Sequence, residues 1–380
     1  MSVEYIYKDF KSILNKMKFI DNWFWCRYTL NPYNGCEFAC TYCDSRSHKY
    51  HLHPDFDQQI LVKINVSEML DNRLRRARTL LPDVVAIGGT CDSYQPAEAE
   101  FHNTRKCLEV LLKHHYPVFL STKSTLVLSD LDLLVQIADD TCCTVAVTVT
   151  TTDSEMARFL EPNAPDPASR LEVIRTIKSR APQIQVGVNL IPIVPFLTDS
   201  EESIEAVVWR TKESGADFIL FGGGMTMRDN QASWFLSKLS ERFPHMIERY
   251  EQLYQGKYST DAGYTGRYEP TGSFYSRINN HILAMCKKHE INFRIKRFIP
   301  DDFRRWNYTI AEILLDESYL MMIQGKPSTI LFWAGQNIQN LTESIVDVAA
   351  RGELRTIRNV GPALEQRILK WLKEDAFDCS

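Results

Sequence analysis

Asn31-Pro-Tyr-Asn-Gly-Cys-Glu-Phe-Ala-Cys-Thr-Tyr-Cys43 gathers three cysteines, Cys36, Cys40 and Cys43, within eight residues at the spacing C-x3-C-x2-C. Thiolates are soft ligands that suit zinc or iron–sulfur clusters. Structural zinc takes four ligands, and the cluster of an electron-carrying ferredoxin takes four cysteines. Here the local thiolates stop at three, although His48, His51 and His53 stand close by and keep a fourth zinc ligand available. Three thiolates on a four-iron cluster leave one iron open, which catalysis needs and simple electron carriers avoid.

Outward from this segment the pattern is strand, helix, strand. The cysteines directly follow the strand candidate Tyr28–Pro32, where a β/α barrel carries its active-site loops. Further strand candidates are Val84–Gly88, Val118–Ser121, Thr144–Thr150, Gln185–Ile191 and Phe218–Phe221. Amphipathic stretches lie between them: Ser67–Leu80, Thr104–His114, Leu131–Ile137, Ala168–Arg180 and Ser200–Ser214. Such alternation predicts an α/β fold with a parallel sheet. Six strands in this length fit a partial (β/α)6 barrel better than a closed eightfold one. Past about Pro300 only helical patterns remain, over 308–323, 340–350 and 363–374. The expected division is a core domain over 1–300 with an N-terminal lead-in and a mainly helical C-terminal extension over 301–380. The stretch Tyr254–Ser276, with Gly and Tyr interleaved, reads as a long connection on the substrate side.

Composition narrows the class. Hydrophobic residues make up 44% of the 380, normal for a globular protein with a substantial core. No stretch approaches the ~20 apolar residues of a membrane span. The opening MSVEYIYKDFKSILNKMKF carries charges throughout and lacks a signal peptide's apolar centre, so the cytoplasm is the expected compartment. A net charge of −4 means that any nucleic-acid binding must use local basic patches. The other cysteines, Cys26, Cys91, Cys107, Cys142, Cys143, Cys286 and Cys379, are scattered. A reducing compartment does not sustain a disulfide framework, and scattered cysteines are generally small buried hydrophobes.

With Tyr42 just before the third cysteine, the triplet resembles the signature of the radical S-adenosylmethionine (SAM) superfamily. The resemblance implies a [4Fe–4S] cluster whose open iron is chelated by the amino and carboxylate groups of SAM. One electron from the cluster then breaks the sulfonium, and a 5′-deoxyadenosyl radical abstracts a hydrogen atom. The similarity continues in Asn31-Pro-Tyr-x-Gly-Cys36, Gly89-Thr-Cys-Asp-Ser-Tyr-Gln-Pro-Ala-Glu98, Ser121-Thr-Lys-Ser124 with Asp130-Leu-Asp-Leu-Leu134, and Glu161-Pro-Asn-Ala-Pro165 with Arg170. These look like the spore photoproduct lyase-related group, often labelled DNA repair photolyases, over roughly residues 25–230.

The resemblance implies site residues position by position. Tyr42, Gly88, Gly89, Lys123, Thr148 and Ile193 would bind SAM. The glycines would flank its amino group, Lys123 its carboxylate, Thr148 and Thr150 its ribose, and Asn189 to Ile193 its adenine. Arg158 and Arg170 would brace the site. Cys91 would return a hydrogen atom to the product radical, with Tyr94 as relay. The competing readings are a surface lysine, strand-forming threonines, a buried small residue, a packing aromatic and solvated helix charges. Asp44 follows Cys43 where the lyase has a tyrosine. A reductant such as flavodoxin or ferredoxin is the implied electron donor.

Leu354-Arg-Thr-Ile-Arg-Asn-Val-Gly-Pro-Ala-Leu-Glu-Gln-Arg-Ile368 looks like a helix-hairpin-helix motif within 354–374. Gly361-Pro362 precedes a helix with the apolar face Leu364, Ile368 and Leu372, sound helix-start logic. Such a turn presents backbone N–H groups to a DNA phosphate, with Arg355, Arg358, Arg367 and Lys370 nearby. Asn359 replaces the usual first glycine, and Asn tolerates left-handed backbone. Packing on the core or binding protein is the competing reading. A second basic stretch, Arg294-Ile-Lys-Arg297 with Arg304-Arg-Trp306, suits a nucleic-acid groove or a strand edge and helix start.

The expectation is therefore a radical SAM enzyme acting on nucleic acid, in DNA repair or modification. The alternatives are radical modification of a protein or small molecule, and a non-enzymatic zinc or iron–sulfur nucleic-acid-binding protein. Cys36→Ala, Cys40→Ala and Cys43→Ala are each expected to abolish the visible absorption of the anaerobically reconstituted cluster, and unchanged spectra would sink the ligand assignment.

Overall fold

Short apolar runs, buried on both faces, build the central sheet of the computed structural model, which describes residues 3–77, 79–222 and 224–374. Its six parallel strands are β1 (Tyr28–Leu30), β2 (Val85–Ile87), β3 (Val118–Thr122), β4 (Cys143–Thr148), β5 (Gln185–Asn189) and β6 (Phe218–Leu220). They lie in sequence order across the sheet, and Leu14–Lys16 adds an antiparallel strand beside β1. Every residue of β4, CTVAVT, is buried. That is the pattern of a parallel strand covered on both faces, by helices outside and by the barrel interior within. The helices Val66–Arg76, Asn103–Lys113, Leu131–Asp140, Pro167–Arg180 and Glu201–Glu213 alternate with the strands. Two of their starts are capped by side chains: the Asp166 carboxylate accepts the Ala168 N–H at 2.9 Å, with Pro167 at the first helical position, and Ser200 Oγ accepts the Ser203 N–H at 3.1 Å. The fold is the expected α/β partial barrel with additional C-terminal helices.

All the strands but β3, which runs one residue further to Thr122, end earlier than expected. β4 stops at Thr148 rather than Thr150, and β5 at Asn189 rather than Ile191. The residues beyond leave the ladder and turn toward the cavity or the core. A small sheet pairs Gln59–Lys63 with Glu4–Lys8 in parallel and with Tyr33–Asn34 antiparallel. Its Tyr33, Ile60 and Val62 form a buried cluster against which Cys36 packs. The connection read over Tyr254–Ser276 contains an antiparallel hairpin, Lys257–Ser259 with Gly263–Thr265, and the helix Phe274–Lys288 begins before its end.

Contacts divide the chain into Met1–Met17 with Cys26–Ile295, and Lys18–Trp25 with Lys296–Ser380. The break thus falls a few residues before the expected 300, and an N-terminal segment joins the C-terminal unit. That segment is tied there by the Ile20 carbonyl, which accepts from Gln336 Nε2 at 2.9 Å, and by the Phe19 ring edge-on to Trp333 at 5.3 Å. Sequence periodicity missed the helix Thr329–Gln339 and over-extended the next one, which spans only Ile345–Ala350. TILFWAGQNIQ buries Gln336 and Gln339 and exposes Ile330 and Trp333, so its sequence shows no clear apolar stripe. Its pairing with helix Arg305–Ile323 depends on Gly335, where a Cβ would sit 2.7 Å from Leu315 Cγ.

Two basic residues of the C-terminal unit are structural rather than available to a groove. Arg297 is buried, 4.0 Å over the Tyr308 ring and bonded to Gln339 Oε1 at 2.7 Å. Arg304 is buried against Asp302, at 2.9 and 3.0 Å from Nε. In the hairpin segment, Asn359 adopts φ 70°, the left-handed region expected of it, before helix Pro362–Glu374. Leu364 and Ile368 are buried, Arg355 and Arg358 exposed, and Arg367 pairs with Glu317 at 2.5 Å. Cys379 lies outside the described residues. Gly335→Ala is expected to lower unfolding stability by about 1–3 kcal/mol through overpacking; an unchanged denaturation midpoint would contradict the close helix contact.

Candidate active site

The C-terminal ends of β2, β3, β4 and β5 and the cysteine loop converge on one cavity of about 320 Å³. Backbone constraints shape the loop. Gly35 sits at φ 100°, where a Cβ would approach Phe56 O to 2.6 Å, so only glycine fits. Cys36 N–H donates to that same carbonyl at 2.9 Å, and Thr41 N–H to Leu160 O at 2.8 Å. The Gln95 side chain spans the loop's start, donating to Gly35 O at 3.1 Å and accepting from Glu37 N–H at 2.9 Å.

The result is that Cys36, Cys40 and Cys43 all line the cavity. Burial pushes the Cys36 thiol well above the ordinary range and the Cys40 thiol up to about 12. A bound metal supplies the positive charge that displaces such protons. Among the described residues no group of three or more His, Cys, Asp or Glu side chains forms a site for a metal ion.

The strand ends bring most of the other expected residues to the same cavity. Gly88 and Gly89 both line it, for different reasons. At Gly88, φ is 94° and a Cβ would meet Ser121 O at 2.4 Å, so the protein's own packing demands glycine. At Gly89 a Cβ would meet nothing within 4 Å, which leaves backbone open to a ligand. Lys123 lines the cavity beyond β3, and among the described residues no carboxylate stands within ion-pair distance of it. Burial works against its charge, but Cys40, Glu161 and Asp92 outweigh this and hold its ammonium above the ordinary lysine range. Asp92 itself is buried and accepts Thr122 Oγ1 at 2.7 Å, Lys123 N–H at 2.7 Å and Tyr94 N–H at 2.9 Å. Thr148 lines the cavity at the end of β4, while Thr150 turns away to Glu161 at 3.3 Å.

Tyr42 reaches the cavity, and its hydroxyl donates to Glu161. Glu161 and Arg170 form an ion pair at 2.5 Å with side chains only 1% exposed, and Arg170 also donates to Thr148 O at 3.1 Å. Arg170 is thus the bracing arginine. Arg158 is exposed and takes no part in this network.

Two expected residues lie elsewhere. Ile193 does not line the cavity; its side chain is buried in the core, its carbonyl accepts Met225 N–H at 3.1 Å, and Ile191 and Pro192 take the lining positions. Tyr94 is fully buried off the cavity, its hydroxyl donating to Asp130 at 3.0 Å. Cys91 does line the cavity, with its Sγ donating to Tyr33 O at 3.2 Å. Burial pushes this thiol up to about 12, against the lowering effect of Lys63, so it stays protonated at neutral pH.

The radical SAM superfamily model matches residues 30–208. An uncharacterized protein of Mycobacterium tuberculosis is 34% identical over 233 residues, 60% of this chain and 67% of the relative. The chain belongs to the radical SAM superfamily. Radical SAM proteins are enzymes that use a [4Fe–4S] cluster and SAM, and this chain is one of them. An uncharacterized protein of Methanocaldococcus jannaschii is 26% identical over 232 residues, 60% of this chain and 78% of the relative. A solved spore photoproduct lyase variant shares the fold at a TM-score of 0.57 and 13% identity, covering 75% of this chain and 79% of the lyase. Another, solved with bound AdoMet and dinucleoside spore photoproduct, gives 0.52 at 13% identity over 69% and 74%.

The cavity's chemistry fits the cofactors: three thiols, an ammonium with no ion-pair partner among the described residues and an unobstructed glycine face one space. Sequence reasoning missed Asp44, Tyr50, Thr226 and Tyr268, which also line it. The Gly/Tyr-rich stretch signalled Tyr268; nothing in spacing linked Asp44 to residues so distant. Arg170→Met is expected to cost about 3–5 kcal/mol of stability by leaving the Glu161 carboxylate buried and unpaired, whereas Arg158→Met should leave the unfolding midpoint unchanged.

Proposed function

We propose that Cys36, Cys40 and Cys43 hold the cluster and that the enzyme acts on nucleic acid, in DNA repair or modification. One observation carries the cofactor half of this reading: the three thiols, Lys123 and Cys91 line a single cavity at the strand ends. When bound, the cluster and SAM supply a 5′-deoxyadenosyl radical that abstracts a hydrogen atom from the substrate. Gly89 leaves its backbone accessible to the methionine amino group. Lys123 pairs with the carboxylate in a charge-assisted hydrogen bond. Thr148 serves the ribose, and Ile191 and Pro192 flank the adenine in place of the expected Ile193. Tyr42, fixed by Glu161, walls the cofactor site rather than exchanging protons.

Cys91 fits the role of hydrogen donor because burial keeps the S–H intact where it faces the cavity. Tyr94 does not serve as its relay, since its hydroxyl is committed to Asp130. The nucleic-acid half draws on the shared fold with an enzyme solved with a dinucleoside lesion, and on the hairpin segment. There the exposed Arg355 and Arg358 stand beside the left-handed turn at Asn359. A Cβ at Gly361 would meet nothing within 4 Å, leaving backbone N–H groups open to a phosphate. The electron comes from an external carrier such as flavodoxin or ferredoxin.

Anaerobic reconstitution with dithionite, SAM and damaged or undamaged DNA tests the reading by product analysis. We expect 5′-deoxyadenosine to form and DNA to raise its yield; its absence with a full cluster would overturn the reading. Cys91→Ala should keep SAM cleavage while changing product fate. Lys123→Met should weaken SAM binding about tenfold, the worth of one charge-assisted hydrogen bond.

A further inference from the structure

The cofactor reading leaves the rim of the cavity unused. Asp44, Tyr50, Thr226 and Tyr268 line it, from segments far apart in sequence. The Asp44 carboxylate accepts the Tyr50 hydroxyl at 3.1 Å and Thr226 Oγ1 at 3.2 Å, and pairs with the Arg228 guanidinium at 2.9 Å. The same guanidinium lies 4.4 Å from the centre of the Tyr268 ring and donates to its hydroxyl. Among the described residues, Arg228 Nε is buried without a hydrogen-bond partner. The Tyr268 ring is 42% exposed, a large aromatic left open at the mouth of the cavity. The Lys49 ammonium stands 5.8 Å from that ring, and the adjacent Arg267 is exposed.

Aromatic faces interleaved with cations suit a flat ring that carries negative charge, the ring stacking on tyrosine and the anion held by guanidinium. Asp44 already meets the guanidinium with an oxyanion at one nitrogen, Nη2, and a phosphate brings more negative charge to the same group. A duplex cannot enter a cavity of about 320 Å³, whereas one extruded base can reach its rim.

We propose that this rim is the substrate subsite and takes an unstacked nucleobase with its phosphate. The base stacks on Tyr268. The phosphate takes Arg228 from Asp44, with Lys49 adding charge. The proposal rests on the reading of the cavity as the place where the radical arises, and it names the residues by which the substrate is recognised there. Asp44 is then a positioning residue that holds Arg228 ready while the site is free.

The test uses the full reconstituted chain and the fluorescence anisotropy of two short labelled strands, a single-stranded oligothymidylate and an abasic strand of the same length. Wild type is expected to prefer the thymidylate strand by about tenfold, the worth of one stacked base. Tyr268→Ala should lose that preference while still binding the abasic strand, and Tyr268→Phe should keep it. Arg228→Gln should weaken both strands alike. Equal binding of the two strands by wild type, or an undiminished preference in Tyr268→Ala, would overturn the proposal. Release of 5′-deoxyadenosine by wild type is measured separately. If it is absent while the strand preference holds, the cofactor reading fails and the rim stands; if it is present without the preference, the rim is wrong.

Discussion

A carboxylate removed from water must be answered by charge and hydrogen bonds, and Glu161 shows what that requirement organises. Its side chain is 1% exposed and is met by Arg170, by the Tyr42 hydroxyl and by Thr150 Oγ1. Arg170 comes from a helix, Tyr42 from the cysteine loop and Thr150 from the turn after β4. One buried ion therefore pins the cysteine loop against the sheet. Such pairs are poor evidence of net stability, because desolvation offsets their attraction. What this one supplies is registration: the loop has one place where the carboxylate is fully satisfied.

Around that anchor the cavity divides by chemistry. Its floor is made of strand ends, where parallel β/α architecture exposes backbone and short side chains. Gly88 is demanded by the protein's own packing and Gly89 by none of it. Lys123 is held cationic by the groups around it, yet among the described residues no carboxylate forms an ion pair with it. An anionic ligand would complete this arrangement. The rim is different, an exposed tyrosine and a guanidinium latched to Asp44. Strand-end groups make the floor, and the latched guanidinium and open tyrosine make the rim.

Cys91 and Asp92 are adjacent yet do different work. The backbone N–H of Asp92 donates to Cys36 Sγ at 3.5 Å, and its carboxylate caps the turns after β2 and β3. Cys91 presents its sulfur to the cavity and bonds only weakly to a carbonyl. Keeping a thiol neutral needs burial away from strong cations, and the pull of Lys63 is too small to reverse that.

The order of six parallel strands, the placement of three cysteines after the first, and the glycine pair and lysine after the second and third were all legible in the sequence. Residue type and spacing specify a strand's C-terminal end, and the fold puts those ends together. Direction of side chains was not legible. Tyr94 and Ile193 sit within a few residues of lining positions, but the turns after their strands rotate them into the core. Arg158 and Arg170 look alike in sequence, and only burial separated the brace from the solvated charge. Thr329–Gln339 showed no stripe because it exposes apolar Ile330 and Trp333 and buries polar Gln336 and Gln339. The Asp44–Arg228–Tyr268 rim joins residues separated by more than half the chain. Local chemistry dictates which elements form and where their ends lie, whereas contact between distant segments depends on how those elements turn and pack in three dimensions.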